Sequence, residues 1–283
     1  MLVYLRSYGQ LCNRLWSLLP PLSLAIERGE RLHVVFNNIN DLREYPKLAS
    51  SKYVHVVTKY DKRLIASALH RLLAPLDIKG DLANAKTKRG RIYVINSWKH
   101  TCDNAFILKH KQELLDIFAF RSEVTEKVER SLSGFDGVTV GVHIRRGDYK
   151  AWRGGAYYYD DATYISVMQT LASQLQKQGV KCRFLICSNE PFDTRLTDLN
   201  IARISEASGM DDLYALSQCD YIVGPPSSFS QWASFYGDVP LHLILSAKEE
   251  IDIKDFCPIV GMNQFQNGKH LIDVNGERFE LQK

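Results

Sequence analysis

Short apolar, β-branched runs recur along the chain between longer stretches in which apolar residues return every three to four positions. That is the pattern of strands alternating with amphipathic helices. The runs predict strands over Leu2–Leu5, Leu32–Phe36, Tyr53–Val57, Arg91–Ile95, Val138–His143, Cys182–Cys187, Ala202–Ile204, Tyr221–Val223 and Leu241–Leu245. The stretches between them predict helices over Asn13–Arg28, Leu64–Leu73, Lys109–Phe118, Ser122–Ser131, Asp161–Gln178, Met210–Gln218 and Ser230–Tyr236. Such alternation argues for an α/β fold with mostly parallel sheets. Runs that are apolar throughout, such as RFLIC, fit strands covered on both faces.

The stretch SLSGFDGV (Ser131–Val138) gathers Gly, Ser and Asp just ahead of the strongest strand, VTVGVHI, and reads as a domain boundary. It divides the chain into an N-terminal α/β half (1–135), a C-terminal α/β half (136–245) and a charged, mixed tail (246–283). In the tail, DVNGERF carries the turn pair Asn275-Gly276 and predicts a hairpin.

Composition narrows the class without choosing a function. At 283 residues, 45% hydrophobic and 24% charged, the chain is ordinary globular protein and excludes disorder and coiled coil. A net charge of +4 excludes a dedicated nucleic-acid binder but suits an anionic small molecule or a place at a membrane surface. The six cysteines, Cys12, Cys102, Cys182, Cys187, Cys219 and Cys257, form no C-x-x-C pair, and free thiols suit a reducing compartment. The start of the chain has no basic-then-apolar leader. The best apolar window, Leu15 to Ile26, is short and holds Pro20 and Pro21. The expectation is a soluble cytoplasmic protein, with a peripheral membrane location left open.

Ligands of open parallel sheets bind beyond the carboxyl ends of the strands, so polar residues directly after an apolar run come first. Three segments qualify. In GVHIRRGDY (Gly141–Tyr149) a strand ends in His143, followed by Arg145, Arg146, a glycine turn and Asp148. The two guanidinium forks match phosphate oxygens, and Gly147 relieves the turn. A polar strand end that simply meets solvent explains the same residues. In CDYIVGPPSSFSQW (Cys219–Trp232) a short strand opens into Pro-Pro-Ser-Ser before a helix, where Ser227 or Ser228 is a good N-cap and the first turn a ready anion site. Capping alone also accounts for those serines. In YGQLCNRLW (Tyr8–Trp16), Gly9 permits a tight turn and Asn13 and Arg14 lie near a helix start.

The sequence holds no G-x-x-x-x-G-K-[ST] loop, G-x-G-x-x-G fingerprint, H-E-x-x-H or G-x-S-x-G, and no D-x-D pair to hold a divalent ion on a diphosphate. No metal ligand set and no resident cofactor is therefore expected. Arginines and backbone N–H groups must neutralise any diphosphate that binds.

At these segments the chain resembles the superfamily of fucosyltransferases that use GDP-fucose. HIRRGDY is similar to the family's H-x-R-R-x-D motif, in the form found in the α1,2 branch. DDLYALSQCDYIVGPPSSFSQWASFYGD (211–238) is similar to the later motif, FLICSNEPFDTR (184–195) to the intervening strand and acidic turn, and YGQLCNRLW to an N-terminal G-x-x-G-N element. The resemblance implies two facing Rossmann-like α/β halves of GT-B type around a central cleft, with the donor held mainly by the second. Carried over position by position, it implies Arg145 and Arg146 at the donor diphosphate, His143 near the nucleotide and Asp212 on the guanine edge. Ser227, Ser228 and Phe229 fall on the phosphate loop, and Gly9, Asn13 and Arg14 on the N-terminal element. The activity implied is metal-independent, inverting transfer of fucose to a glycan or glycolipid hydroxyl, with Arg145, Arg146 and Asp148 as catalytic candidates. Asp148, Asp160, Asp161 and Glu190 are the carboxylates available as a base. Another nucleotide sugar, or a non-catalytic GDP- or carbohydrate-binding protein, is the alternative. Cys12, Asn189 and Gln231 depart from the family pattern.

Overall fold

The structure is a computed structural model that describes residues 1–5, 9–35, 39–57, 63–76, 80–81, 92–96, 100–101 and 104–283. It divides into two compact units, Met1–Arg121 and Ser122–Lys283. The predicted strand ends at Phe36 and Arg91, and Tyr8 and Cys102, lie outside the described residues.

The first unit runs β1 (Leu2–Tyr4), α1 (Leu11–Glu27), β2 (Leu32–Val34), α2 (Ile39–Glu44), α3 (Pro46–Ser50), β3 (Val54–Val56), α4 (Arg63–Leu73), β4 (Gly80–Asp81), β5 (Tyr93–Ile95), β6 (His100–Thr101), α5 (Asn104–Lys109) and α6 (Lys111–Ile117). A parallel sheet of order β3-β2-β1-β5 forms its centre, with β4 and β6 paired apart from it. α1 buries Leu15, Leu19, Leu22 and Ile26, a helical stripe of three- and four-residue steps. The helix expected over Lys109–Phe118 is α6, and a further helix that the sequence did not predict, α5, precedes it across His110. There the His110 Nε2 lies 2.6 Å from Glu27, which also pairs with Lys109 at 2.8 Å.

The second unit runs α7 (Ser122–Leu132), β7 (Val138–Ile144), α8 (Asp161–Lys177), β8 (Cys182–Ser188), β9 (Ile201–Ala202), α9 (Gly209–Leu216), β10 (Tyr221–Gly224), α10 (Ser228–Gly237), β11 (Leu241–Leu243), β12 (Ile259–Gly261), β13 (Gln264–Phe265), β14 (His270–Val274) and β15 (Arg278–Gln282). Its main sheet is parallel, of order β11-β10-β7-β8-β9. The chain leaves β7 toward β8 and β9, then returns to β10 and β11 on the other side. A switch point of this kind opens a crevice at the carboxyl ends of the two strands that flank it, here β7 and β10.

The division falls at 121/122, not near 135, because α7 packs into the second unit. Its Val124 and Val128 are buried, Lys127 sits 2.9 Å from Asp211, and Glu129 accepts from the Tyr214 hydroxyl at 3.1 Å. The turn at Ser131–Val138 is thus a helix-to-strand loop. Residues 246–283 are likewise part of the unit: Ile251, Ile253 and Phe256 join the core beside Val140 and Phe184, and β12–β15 form an antiparallel sheet. Its β14–β15 hairpin turns on Asn275 and Gly276, both at positive φ (53° and 76°), as the sequence predicts. Cys12, Cys182, Cys187, Cys219 and Cys257 are all free thiols. Among the described residues no helix is long and apolar enough to cross a membrane.

Candidate functional site

The first two sequence motifs meet at the switch point. β7 and β10 are neighbours in register Val142↔Val223, which places Gly224 beside His143. A Cβ on Gly224 would stand 2.6 Å from the His143 carbonyl oxygen, so only glycine allows this approach. Beyond the strands, the His143 ring stacks on Phe229 with centroids 5.0 Å apart. The imidazole is buried, and burial together with the nearby Arg145 charge pushes its pKa down to about 3, so it is neutral. Its Nδ1 is buried with no hydrogen-bond partner among the described residues. Such an orphan costs stability unless a ligand meets it.

The two arginines that follow have different surroundings. Arg146 is buried and its guanidinium is taken up by protein: Nε donates to the Tyr159 carbonyl and Nη1 to the Pro191 carbonyl, each at 3.2 Å, while Nη2 pairs with Asp161. Its backbone N–H donates to Asn189 Oδ1 at 2.9 Å. Asparagine at 189 therefore keeps the acceptor that an aspartate would offer there. Among the described residues Arg145 has one ion-pair partner, the exposed Asp148 at 2.6 Å, and it lies 5.6 Å over the Tyr149 ring. Between them and Asp148 the chain turns at Gly147, with φ +63°, a conformation that favours glycine.

Ser227, the one of the two candidate serines that caps α10, accepts from the Phe229 N–H at 3.2 Å. Its hydroxyl also lies against the Tyr149 phenol. Ser228 opens the helix, whose N-terminal turn carries partial positive charge. On the other side of β7, α9 starts with a capping box of Ser208 and Asp211, which uses up Asp211. The next residue, Asp212, is half-buried, and its carbonyl accepts from the Cys187 thiol at 3.8 Å. Burial raises the Asp212 pKa to about 6; the Asp211 charge adds to the rise, and Cys187, Arg203 and Lys127 oppose it.

The third motif is separate, in the first unit after β1. Gly9 turns at φ +84° against the Asn13 side chain. Arg14 donates to both oxygens of the buried Asp41 at 2.7 Å and to the Gly9 carbonyl, so its guanidinium holds the turn together.

Of the four candidate carboxylates, Asp160 caps α8 by accepting from Thr163, and Asp161 holds Arg146 and the Asp193 N–H. Asp148 pairs with Arg145. The Glu190 carboxylate, near Gly147, has no hydrogen-bond or ion-pair partner among the described residues. Just before Asp160 and Asp161, Tyr157 and Tyr159 are buried and Tyr158 is exposed. Among the described residues no group of three or more His, Cys, Asp or Glu is placed to hold a metal ion.

Sequence reasoning gave no role to three features of this region. The Tyr149 hydroxyl donates to the Pro226 carbonyl at 2.6 Å, joining the arginine turn to the serine loop. Gln231, a departure from the family pattern, exchanges two hydrogen bonds with Asn263 in the C-terminal sheet, at 3.0 and 2.7 Å. Arg153 pairs with Asp273 and stacks 4.0 Å over Phe279. Only the first had a sequence signal, a tyrosine inside the motif itself.

The pattern of glycosyl transferase family 11 matches residues 93–239, just over half of the chain. The chain belongs to glycosyl transferase family 11. A gorilla (Gorilla gorilla gorilla) galactoside α-(1,2)-fucosyltransferase 2 is 28% identical over 154 residues, covering 48% of this family 11 chain and 43% of that protein. The match thus spans less than half the length of that relative. In fold, the chain is similar to the NodZ α-1,6-fucosyltransferase in a crystal soaked with GDP-fucose, with a TM-score of 0.50 and 15% identity over 90% of this chain and 96% of that one. It is also similar to a mutant of Arabidopsis thaliana FUT1 in complex with GDP, with a TM-score of 0.50 and 14% identity over 87% of this chain and 70% of that one. The mixed α/β fold with parallel sheets is the one expected for the GT-B type.

Proposed function

We propose that the chain transfers fucose from GDP-fucose to a hydroxyl of a glycan or glycolipid acceptor, making an α1,2 linkage with inversion. The observation that carries this reading is the pairing at the β7–β10 switch point. Arg145, whose only ion-pair partner among the described residues is an exposed aspartate, projects from a turn that Tyr149 ties to the Ser227 loop at the start of α10. The gorilla relative's name supports the α1,2 linkage, and the GDP-fucose soaked into the NodZ crystal supports the donor.

In this reading the acceptor oxygen attacks the anomeric carbon of fucose from the face opposite the diphosphate. The bond from that carbon to the diphosphate oxygen breaks, and its electron pair stays with GDP. Arg145 and the donors of the Ser227–Phe229 turn meet the charge as it grows, which stabilises the transition state more than the ground state. The same donors do the work of a metal, so the reaction proceeds without one. Asp212 accepts from the N1–H and N2–H of guanine, and His143 lies against the nucleotide. Asp148 and Glu190 remain to take the acceptor's proton. Arg146 supports the turn from beneath.

Another nucleotide sugar is the competing reading, and Asp212 is the residue that argues against it. The test is incubation of the protein with GDP-fucose and a panel of galactose-terminated acceptors, read by mass spectrometry and linkage analysis, with UDP- and CDP-sugars in parallel. A fucosylated product from GDP-fucose alone is expected. Transfer from a UDP-sugar, or GDP binding with neither transfer nor donor hydrolysis, contradicts the proposal.

A further inference from the structure

Two loops form the candidate phosphate site, and one side chain touches both. Tyr149 lies on the short turn that follows Gly147 and is buried. Its ring faces the Arg145 guanidinium at 5.6 Å and is backed by Trp152, with centroids 4.6 Å apart. Its hydroxyl donates to the Pro226 carbonyl at 2.6 Å, one residue before the Ser227 cap of α10.

The serine loop needs that bond. Pro225 and Pro226 have no N–H, so this stretch of backbone offers acceptors without the donors that normally pair within a loop. Pro226 is buried, away from water. A buried carbonyl left without a donor is unfavourable, and the phenol supplies the donor from across the site. Burial raises the Tyr149 pKa to about 12, partly opposed by the Ser227 hydroxyl and Arg145, so the phenol keeps its proton at working pH.

We propose that Tyr149 is a positioning residue that sets the spacing between Arg145 and the Ser227 loop, and so presents both to the donor diphosphate as one preorganised site. This deepens the fucosyl-transfer reading and rests on it. Tyr149 does not itself contact the donor. Its ring orients the guanidinium by cation–π contact and its hydroxyl fixes the loop, so their separation is set before the donor arrives.

The test is Tyr149→Phe, which keeps the ring and removes the hydroxyl with its bond to Pro226 and its contact with Ser227. With the melting temperature measured alongside, kcat is expected to fall about tenfold while the KM for GDP-fucose changes less than threefold. Ser227→Ala made in the Tyr149→Phe background is expected to cost clearly less than in the wild type, because both act on one loop. Equal kcat in Tyr149→Phe and the wild type, or additive losses in the double variant, overturns the proposal. Should Tyr149→Phe fail to fold, a fluorinated tyrosine of lowered pKa at position 149 tests the same hydroxyl. Activity is expected to fall as the phenol ionises with rising pH, and a profile matching the wild type overturns the proposal. A wild-type protein that binds no GDP and turns over no GDP-fucose contradicts the parent reading instead, so the two failures are separable.

Discussion

Both units place an arginine in the loop or helix start after a parallel strand, and the two arginines differ in what surrounds them. In the first unit, Arg14 is clasped by both oxygens of the buried Asp41 and by the Gly9 carbonyl. In the second, Arg145 meets one exposed carboxylate, while its neighbour Arg146 repeats the Arg14 arrangement with Asp161 and two carbonyls. A counter-charge held in the fold, buried at Asp41 and half-buried at Asp161, makes an arginine part of the scaffold; beside the exposed Asp148 its donors remain for a ligand. The contrast separates two adjacent residues that the motif alone treats as equals.

The largest expected effect follows from Arg145. Arg145→Ala should lower kcat/KM for GDP-fucose by about a thousandfold with an unchanged melting temperature. Arg145→Lys should recover only part of the loss, because a lysine has no bidentate fork. A lysine variant at the wild-type rate would break the contrast.

Arg146 should fail the other way. Arg146→Leu takes the ion-pair partner from the half-buried Asp161, and should cost about 2 kcal/mol of stability in denaturant titration. Arg14→Leu should do the same through Asp41, at a similar magnitude and with the donor KM held within a few-fold. Normal stability with lost donor binding in either variant would move that arginine from scaffold to ligand.

A smaller, pH-dependent effect comes from Asp212. The guanine contact proposed for Asp212 needs the carboxylate, and burial raises its pKa to about 6. GDP affinity measured by calorimetry should be steady above that value and fall about tenfold per unit below it. Asp212→Asn should bind GDP weakly with a flat profile over the same range. A wild type equally flat from pH 7 to 5 would remove Asp212 from the guanine edge. Smallest of all is the effect of chelation. Excess EDTA should leave the transfer rate within twofold, and a loss restored by a divalent ion would contradict donor activation by arginine.

The strands and helices of the second unit were legible because β7, β8 and β10 are apolar runs and α8 and α9 begin on clear caps, Asp160 and Ser208. The meeting of the first two motifs was legible too, since polar residues after such strands fall where the sheet switches direction. What the sequence concealed was partnership at long range. Nothing near Arg146 shows that Asp161 and Pro191 will absorb its donors, and nothing near Gln231 points to Asn263. The boundary moved for the same reason: a glycine-rich turn is local, whereas the packing of α7 on α9 joins Lys127 to Asp211 across 84 positions. The C-terminal residues read as a tail because their short strands carry little period-2 signal, apart from the Asn-Gly turn.

The central claim, that Arg145 and the Ser227 loop hold the diphosphate while Arg146 stays in the scaffold, is most directly tested by the crystal structure of the wild-type protein with GDP. The diphosphate oxygens are expected within hydrogen-bond distance of the Arg145 guanidinium and the Ser227–Phe229 turn, with Arg146 still paired to Asp161. A diphosphate bound elsewhere, or an Arg146 that has left Asp161 to reach it, would contradict the claim.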